Sequence, residues 1–337
     1  MGIDRDIQRI LQLYPEDCRP LSVDPFHAPM SFSGATLWRI SAPRGPLCLR
    51  RWPPKFPSTE RLEFLQAVLW HVNQEGFDRI PVPIETHHKH GFIWHAGHLW
   101  ELTPWLPGEA DYRAHPTKPR LHNAMIALAA FHEAARTFPL PETGPIGSPG
   151  IADRALKLQG LLGGRLVELR KAMGTGGHPA IAQRGRRLID TVMRHGPSVL
   201  HALKSASGLD VSVQPCIRDV WHAHILFEAD EVTGIVDFGA LRPDNVATDV
   251  ARLLGSLAQD DVSDWQAGLA AYQSVRRLSR NEHNLVLAFD RSTVLMGGLQ
   301  WLEWIYLEGR QFPDEAVVAG RLDEFLLRLE HLSQTLA

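Results

Sequence analysis

Long apolar runs are missing from this 337-residue chain. No uninterrupted stretch approaches the ~18 residues that cross a bilayer as a helix, so no transmembrane segment is expected. The opening MGIDRDIQRILQL is too charged for a secretory signal, and Asp6 stands where N-myristoylation needs Ser or Thr. Cysteine is scarce. Cys18, Cys48 and Cys216 are odd in number and lack metal-ligand spacing, which fits a reducing cytosol rather than a disulfide framework. An excess of one charge is missing too. The 35 Lys and Arg against 38 Asp and Glu leave a net charge of −3, so neither nucleic acid nor an anionic membrane is expected as a partner. No internal repeat is visible. What remains is an ordinary globular composition, 44% hydrophobic and 22% charged, of a length that suggests about two domains at ~150 residues each. The expected localisation is cytoplasmic, and the oligomeric state is left open.

The chemistry concentrates in Pro215 to Gly239, PCIRDVWHAHILFEADEVTGIVDFG. Ile225-Leu226-Phe227 and Thr233 to Val236 are short apolar runs, and the acidic Glu228 to Glu231 between them reads as a hairpin turn. Asp219 precedes the first strand on a loop, and Asp237 follows the second in Asp237-Phe238-Gly239. Folding such a hairpin brings its ends together and aims two carboxylates into one cleft. Kinase-type phosphoryl transfer needs such a pair. One Asp orients or deprotonates the attacking hydroxyl, and one in Asp-Phe-Gly holds Mg²⁺ against nucleotide phosphates. Taken alone, the stretch is equally compatible with an ordinary α/β protein, where an Asp before a strand and an Asp-Gly turn after one are common.

The order of loop Asp, a position five residues on, hairpin and Asp-Phe-Gly resembles the aminoglycoside phosphotransferase and choline kinase family of small-molecule kinases. The loop of that family usually reads H-G-D-x-x-x-x-N. The resemblance puts Asp219 on the catalytic Asp and Asp237 on the metal Asp. The chain departs at Ile217, where the family has His, and at His224, where it has the metal-binding Asn. Imidazole suits Mn²⁺ better than Mg²⁺, so ATP with Mg²⁺, or Mn²⁺, is the implied cofactor set.

The rest of the chain follows the same order. Ile3, Ile7, Ile10 and Leu11 recur at helical spacing, and Tyr14 to Pro29 reads as a proline-broken loop. Ser33, Gly34, Ala35 and Thr36 form a small-residue loop that could approach phosphates, or a plain hairpin start, before strands 37–40 and 47–52. The resemblance puts the phosphate-meeting Lys of the family on Arg50. Ser58 caps a helix from Glu60 to Asn73, whose Glu63 or Glu60 could pair with Arg50 or lie solvated. Strands are expected at PVPIET, GFIWHA and HLWEL. His87, His88 and His90 at a turn read as solvated, because metal ligands usually converge from different elements.

Glu101 to Gly108 is a proline-rich linker that matches the hinge of the family, so Thr103 and Trp105 are implied to line the nucleotide pocket. Interlobe packing is the other reading of Trp105. Helices follow at 121–137, 156–173 and 179–206, the second weakened by Gly160, Gly163 and Gly164. Asp249 opens another helix and matches a family Asp that braces the catalytic loop, although the helix dipole alone favours an Asp there. Further helices are read at 265–275, 285–307 and 316–336. On the last but one of these, Trp301 and Trp304 share a face, with Glu308 one turn on. They form either a contact for a cationic acceptor or a buried stripe.

The expected architecture is α+β, a two-lobed protein-kinase-like fold with a strand-rich N-lobe (1–102) and a helix-rich C-lobe (103–337). The expected activity is ATP-dependent phosphate transfer to the hydroxyl of a small molecule. The chain lacks a His-Arg-Asp loop and an Ala-Pro-Glu segment, which argues against a protein kinase. Two alternatives stay open. One is a nucleotide-binding module impaired in catalysis by the changes at Ile217 and His224. The other is a metal-dependent hydrolase built on His222 and His224 of a strand, for which no further ligands are found.

Overall fold

The structure is a computed structural model, and it describes residues 5–26, 34–140, 147–175, 177–312 and 314–336. The chain forms two compact units. Met1–Pro139 and His222–Arg242 make the first, and Leu140–Trp221 and Pro243–Ala337 make the second.

The first unit is built on a five-stranded antiparallel sheet. Its strands are β1 (Ser22–Phe26), β2 (Thr36–Ala42), β3 (Gly45–Arg51), β4 (Phe92–His95) and β5 (His98–Pro104), in the order β1-β2-β3-β5-β4. The period-2 alternation of strands gives the sheet two apolar faces. Ile40, Leu47, Leu49, Trp100 and Leu102 pack with Ile7, Ile10 and Leu11 of α1 (Arg5–Leu11) on one of them. On the other face Trp52 and Leu99 pack with Leu62 of α2 (Thr59–Gln74), whose start is capped by Ser58. Two expectations fail here. Ser22–Phe26 is a strand that pairs with β2, because an edge position tolerates Pro25. The segment Pro81–Thr86 is not a strand. Pro81 and Pro83 lack the N–H groups a ladder needs, and in that segment Ile84 alone bonds to β5, through the Leu102 carbonyl. Helix α3 (Lys118–Ala135) completes the unit, together with a hairpin described below.

The second unit is helical. It holds α4 (Pro149–Gly160), α5 (Leu166–Thr175), α6 (Pro179–Ala206), α7 (Ala247–Leu257), α8 (Val262–Gln273), α9 (Arg280–Tyr306) and α10 (Glu315–Leu336). Helices α6, α9 and α10 pack on one another, and α7 packs on α9. The single helix expected over 156–173 is two. Gly164 adopts φ 143°, a conformation that side chains disfavour, and the helix breaks there. All three cysteines are free thiols. Burial pushes the Cys216 thiol well up, so it behaves as core.

Candidate active site

In the first unit, Arg50 of β3 lies directly opposite Glu101 of β5. Residues in that register share a face, so the charges meet side by side, Nη1 to Oε1 at 3.7 Å. The guanidinium also stands 4.7 Å from the ring centre of Trp52. Burial works against the charge on Arg50, but Glu101 and then Asp237 outweigh it and hold the guanidinium above its ordinary value. Burial raises Glu101, and Arg50 and Gln66 oppose that rise. Gln66 of α2 donates to Glu101 Oε2 and to the Gly91 carbonyl, both at 3.1 Å. The partner of Arg50 is therefore a neighbouring strand, not a helix glutamate. Glu63 is exposed and lines a cavity of about 310 Å³ beside His88 and His90. Glu60 is held below its ordinary value by backbone and Ser58 hydrogen bonds, so it serves the helix start.

The hairpin of this unit pairs β6 (Ile225–Glu228) with β7 (Glu231–Ile235). Beyond the last strand residues, Val236 N–H donates to the His224 carbonyl at 2.9 Å. That rung brings His224 beside Asp237, Nε2 to Oδ2 at 3.7 Å. Asp237 is half-exposed and has φ 64°, uncommon for a residue with a side chain. Its loop is fixed on both sides. Phe238 is buried with its ring 5.6 Å from Phe131 of α3, and Arg61 of α2 donates to the Gly239 carbonyl at 3.2 Å. His222 and His224 form a 3-10 turn, so the one-sided strand arrangement expected of them does not exist.

Of the other expected nucleotide contacts, Ser33 lies outside the described residues. Gly34 has φ 70°, and Ala35 and Thr36 lead into β2. Thr103 is buried in β5, opposite Cys48. Trp105 packs edge-on to Phe26 at 4.8 Å, with Arg39 over its ring at 5.0 Å.

Asp219 belongs to the second unit. Its loop is set by Asp249, in the first turn of α7 and fully buried. Asp249 accepts the Ile217 N–H at 2.7 Å and the Arg218 N–H at 2.6 Å. Arg218, at φ 67°, then turns the chain into Asp219. Backbone strain of this kind persists where the surroundings over-determine it, and it concentrates at functional sites. Asp219 is half-exposed, and its Oδ1 accepts from Arg252 Nε and Nη2 at 3.2 and 3.1 Å.

Asp244 has no counterpart in the sequence-based reading. It is fully buried, it accepts from Ser148 Oγ at 2.6 Å and from the Asn245 N–H at 2.8 Å, and it pairs with Arg218 Nε at 3.3 Å. Burial raises its carboxyl, against these bonds. A Cβ on Gly150 would lie 2.3 Å from Asp244 Oδ2, so the close approach admits only glycine. The Asp244-Asn245 pair ahead of α7 is the signal that could have found it, since Asn245 Oδ1 accepts the Ala247 N–H at 2.9 Å.

Trp301 and Trp304 meet edge to face at 5.4 Å, and Phe312 joins them. The cation at this cluster is Arg310 of the protein itself, 4.8 Å from the Trp304 ring and bonded to Glu308 at 2.8 Å. The face and the carboxylate expected to take a cationic acceptor are thus engaged from within.

Residues 28–283 match the model of the phosphotransferase enzyme family. The chain belongs to that family. A homoserine kinase of Chelativorans sp. (strain BNC1) is 27% identical over 281 residues, 80% of this chain and 76% of the relative. Among solved structures, an aminoglycoside phosphotransferase from Alicyclobacillus acidocaldarius superposes with a TM-score of 0.67 at 17% identity, covering 100% of this chain and 97% of its own. A spectinomycin phosphotransferase in complex with ADP and spectinomycin gives 0.64 at 10% identity, over 99% and 100%. The fold is the kinase-like fold of these phosphotransferases, with a strand-rich N-terminal region and a helix-rich C-terminal part. Among the described residues no helix is long and apolar enough to cross a membrane.

Proposed function

We propose that this phosphotransferase moves the γ-phosphate of ATP to a hydroxyl of a small molecule. The observation that carries the reading is the first unit's pairing of a guanidinium kept charged by Glu101 with a half-exposed carboxylate, Asp237, on an anchored loop. Such a pair suits polyphosphate and its counter-ion. The related spectinomycin phosphotransferase holds ADP, which supports a nucleotide as the donor.

In this reading Arg50 meets the phosphates, and the backbone of Ser33, Gly34, Ala35 and Thr36 approaches them. Thr103 and Trp105 border the base. Asp237 offers the hard oxygen that a divalent ion wants, and Mg²⁺ is commonly held by one or two carboxylates plus substrate phosphates. Asp237 would hold it with His224 as neighbour, an imidazole that favours Mn²⁺ over Mg²⁺. The bound ion would neutralise charge on the β- and γ-phosphates. Asp219 orients the acceptor hydroxyl and takes its proton. The acceptor oxygen bonds to the γ-phosphorus as the bond from that phosphorus to the β–γ bridging oxygen breaks. ADP leaves with the electron pair. Asp249 keeps Asp219 in place by holding the loop before it.

A catalytically impaired nucleotide-binding module is the second reading, favoured by Ile217 and His224. A screen of small alcohols and amino alcohols with labelled ATP tests the choice. Labelled phosphoester on any acceptor supports the kinase. Tight nucleotide binding without product on any acceptor supports the module.

A further inference from the structure

Helix α7 grips the Asp219 loop at two points, both within the second unit. Asp249 takes the two backbone N–H groups ahead of Asp219. Arg252 follows Asp249 by nearly one turn of the same helix, and so lies on the same side of it. It reaches the Asp219 side chain itself. A guanidinium and a carboxylate frequently meet fork to fork, with two parallel N–H···O bonds to two oxygens. Here Nε, at 3.2 Å, and Nη2, at 3.1 Å, both donate to Oδ1. No group among the described residues donates to Oδ2. Arg252 is itself held. Its guanidinium lies over the Trp221 ring, 5.9 Å from the centre, and Arg321 of α10 lies over the same ring at 5.3 Å. Arg321 is tied in turn to Glu324 at 2.9 Å. The side chains around Asp219 are thus anchored to both α7 and α10.

We propose that Arg252 is a positioning residue for Asp219, claiming Oδ1 and leaving Oδ2 as the oxygen that meets the acceptor hydroxyl. This rests on the kinase reading above. The pair is only partly buried, with 29% of the Arg252 side chain and 55% of the Asp219 side chain exposed, and ion pairs of that kind add little to stability. Orientation is what the pair supplies. The terminal torsion of an aspartate is broad and two-fold, so a carboxylate without such a bond swings its oxygens through a wide arc. Two donors on one oxygen stop that motion. Phosphoryl transfer asks the protein mainly for positioning and charge stabilisation, so an oxygen held still is worth more here than a strongly basic one. The acceptor proton passes to Oδ2, while the bonds at the γ-phosphorus change as set out above.

The test measures kcat and KM for Arg252→Met and Arg252→Lys. The acceptor is whichever of a panel of alcohols, amino alcohols, hydroxy acids and their amides the wild type phosphorylates with ATP and Mg²⁺ or Mn²⁺. Arg252→Met should lower kcat by on the order of 10-fold to 10²-fold, the scale of a misplaced reacting group, with KM for ATP unchanged. Arg252→Lys, which restores the charge and one donor, should recover part of the loss. In Asp219→Ala, whose residual rate is read over long incubations, Arg252→Met should have no further effect, because groups that act as a unit are not additive. A wild-type kcat in Arg252→Met overturns the inference and leaves the kinase reading standing. So does an equal fall in the Asp219→Ala background, or a loss confined to KM for ATP. If Arg252→Met does not fold, Arg252→Gln, which is uncharged but still a donor, replaces it with the same expectation. If wild type phosphorylates nothing in the panel, the kinase reading fails and this inference falls with it.

Discussion

The loops carrying Asp237 and Asp219 present the same group by different means. The Asp237 loop ends a hairpin and is held from outside itself, by a ladder rung to His224, a buried Phe238 and a bond from Arg61 to Gly239. The Asp219 loop is held by one buried carboxylate, Asp249, that takes two successive N–H groups. Both pass through a left-handed residue, Asp237 itself in one and Arg218 just before Asp219 in the other. Their charge settings differ too. The cation that Asp237 acts on, Arg50, already has a partner in Glu101, whereas Asp219 is itself bonded by a cation, Arg252. In our account the first setting receives a ligand that brings many negative charges and a metal. The second receives one that brings a hydroxyl.

If the loops divide the work this way, their variants should fail differently. Asp219→Ala is expected to lower kcat by on the order of 10²-fold or more while ATP affinity, measured by calorimetry, is unchanged. Normal turnover in that variant would remove its assigned role. Asp237→Ala is expected to weaken Mg²⁺-dependent nucleotide binding by at least ~10-fold, and unchanged Mg²⁺-ATP affinity would contradict the assignment. His224→Asn is a smaller change. It should raise Mg²⁺-supported activity and reduce any preference for Mn²⁺. Activity that is already best with Mg²⁺ and does not improve in the variant would mean that His224 does not stand in for the family Asn.

The smallest effect lies away from both loops, at the capping box of α9. Ser279 accepts the Glu282 N–H at 3.2 Å, and Glu282 accepts the Ser279 N–H at 2.8 Å. Burial acts to raise Glu282, but the Ser279 N–H and Arg276 outweigh it, and the carboxyl sits below its ordinary value. A depressed acid stabilises the fold above its unfolded pKa, and that stability is lost as pH falls through the folded value. Tm should therefore drop below about pH 4, and less steeply in Glu282→Gln. Ser279→Ala should cost about 1 kcal/mol at neutral pH without altering either loop's function.

Much of this was legible in the sequence because it is local. The 28 residues of α6, the Ser58 cap and the hairpin between Phe227 and Val232 follow from periodicity and turn chemistry. The partner of Arg50 was not legible. Strand register put Glu101 opposite it, and register depends on pairing between segments about fifty residues apart. Asp244 was missed for a similar reason. It is unremarkable in sequence and acquires meaning only from burial and from neighbours on other elements. Pro81–Thr86 misled in the opposite direction, since its β-branched residues suggest a strand that its prolines prevent.

The central claim, that this chain performs transfer and does not merely bind nucleotide, is tested most directly by a single turnover with γ-labelled ATP, divalent metal and a hydroxyl acceptor. Our account predicts label in a phosphoester of the acceptor with wild type, and none with Asp219→Ala although that protein still binds ATP. Label that stays in ATP, or appears only as inorganic phosphate, across acids, amides and amino alcohols would contradict it.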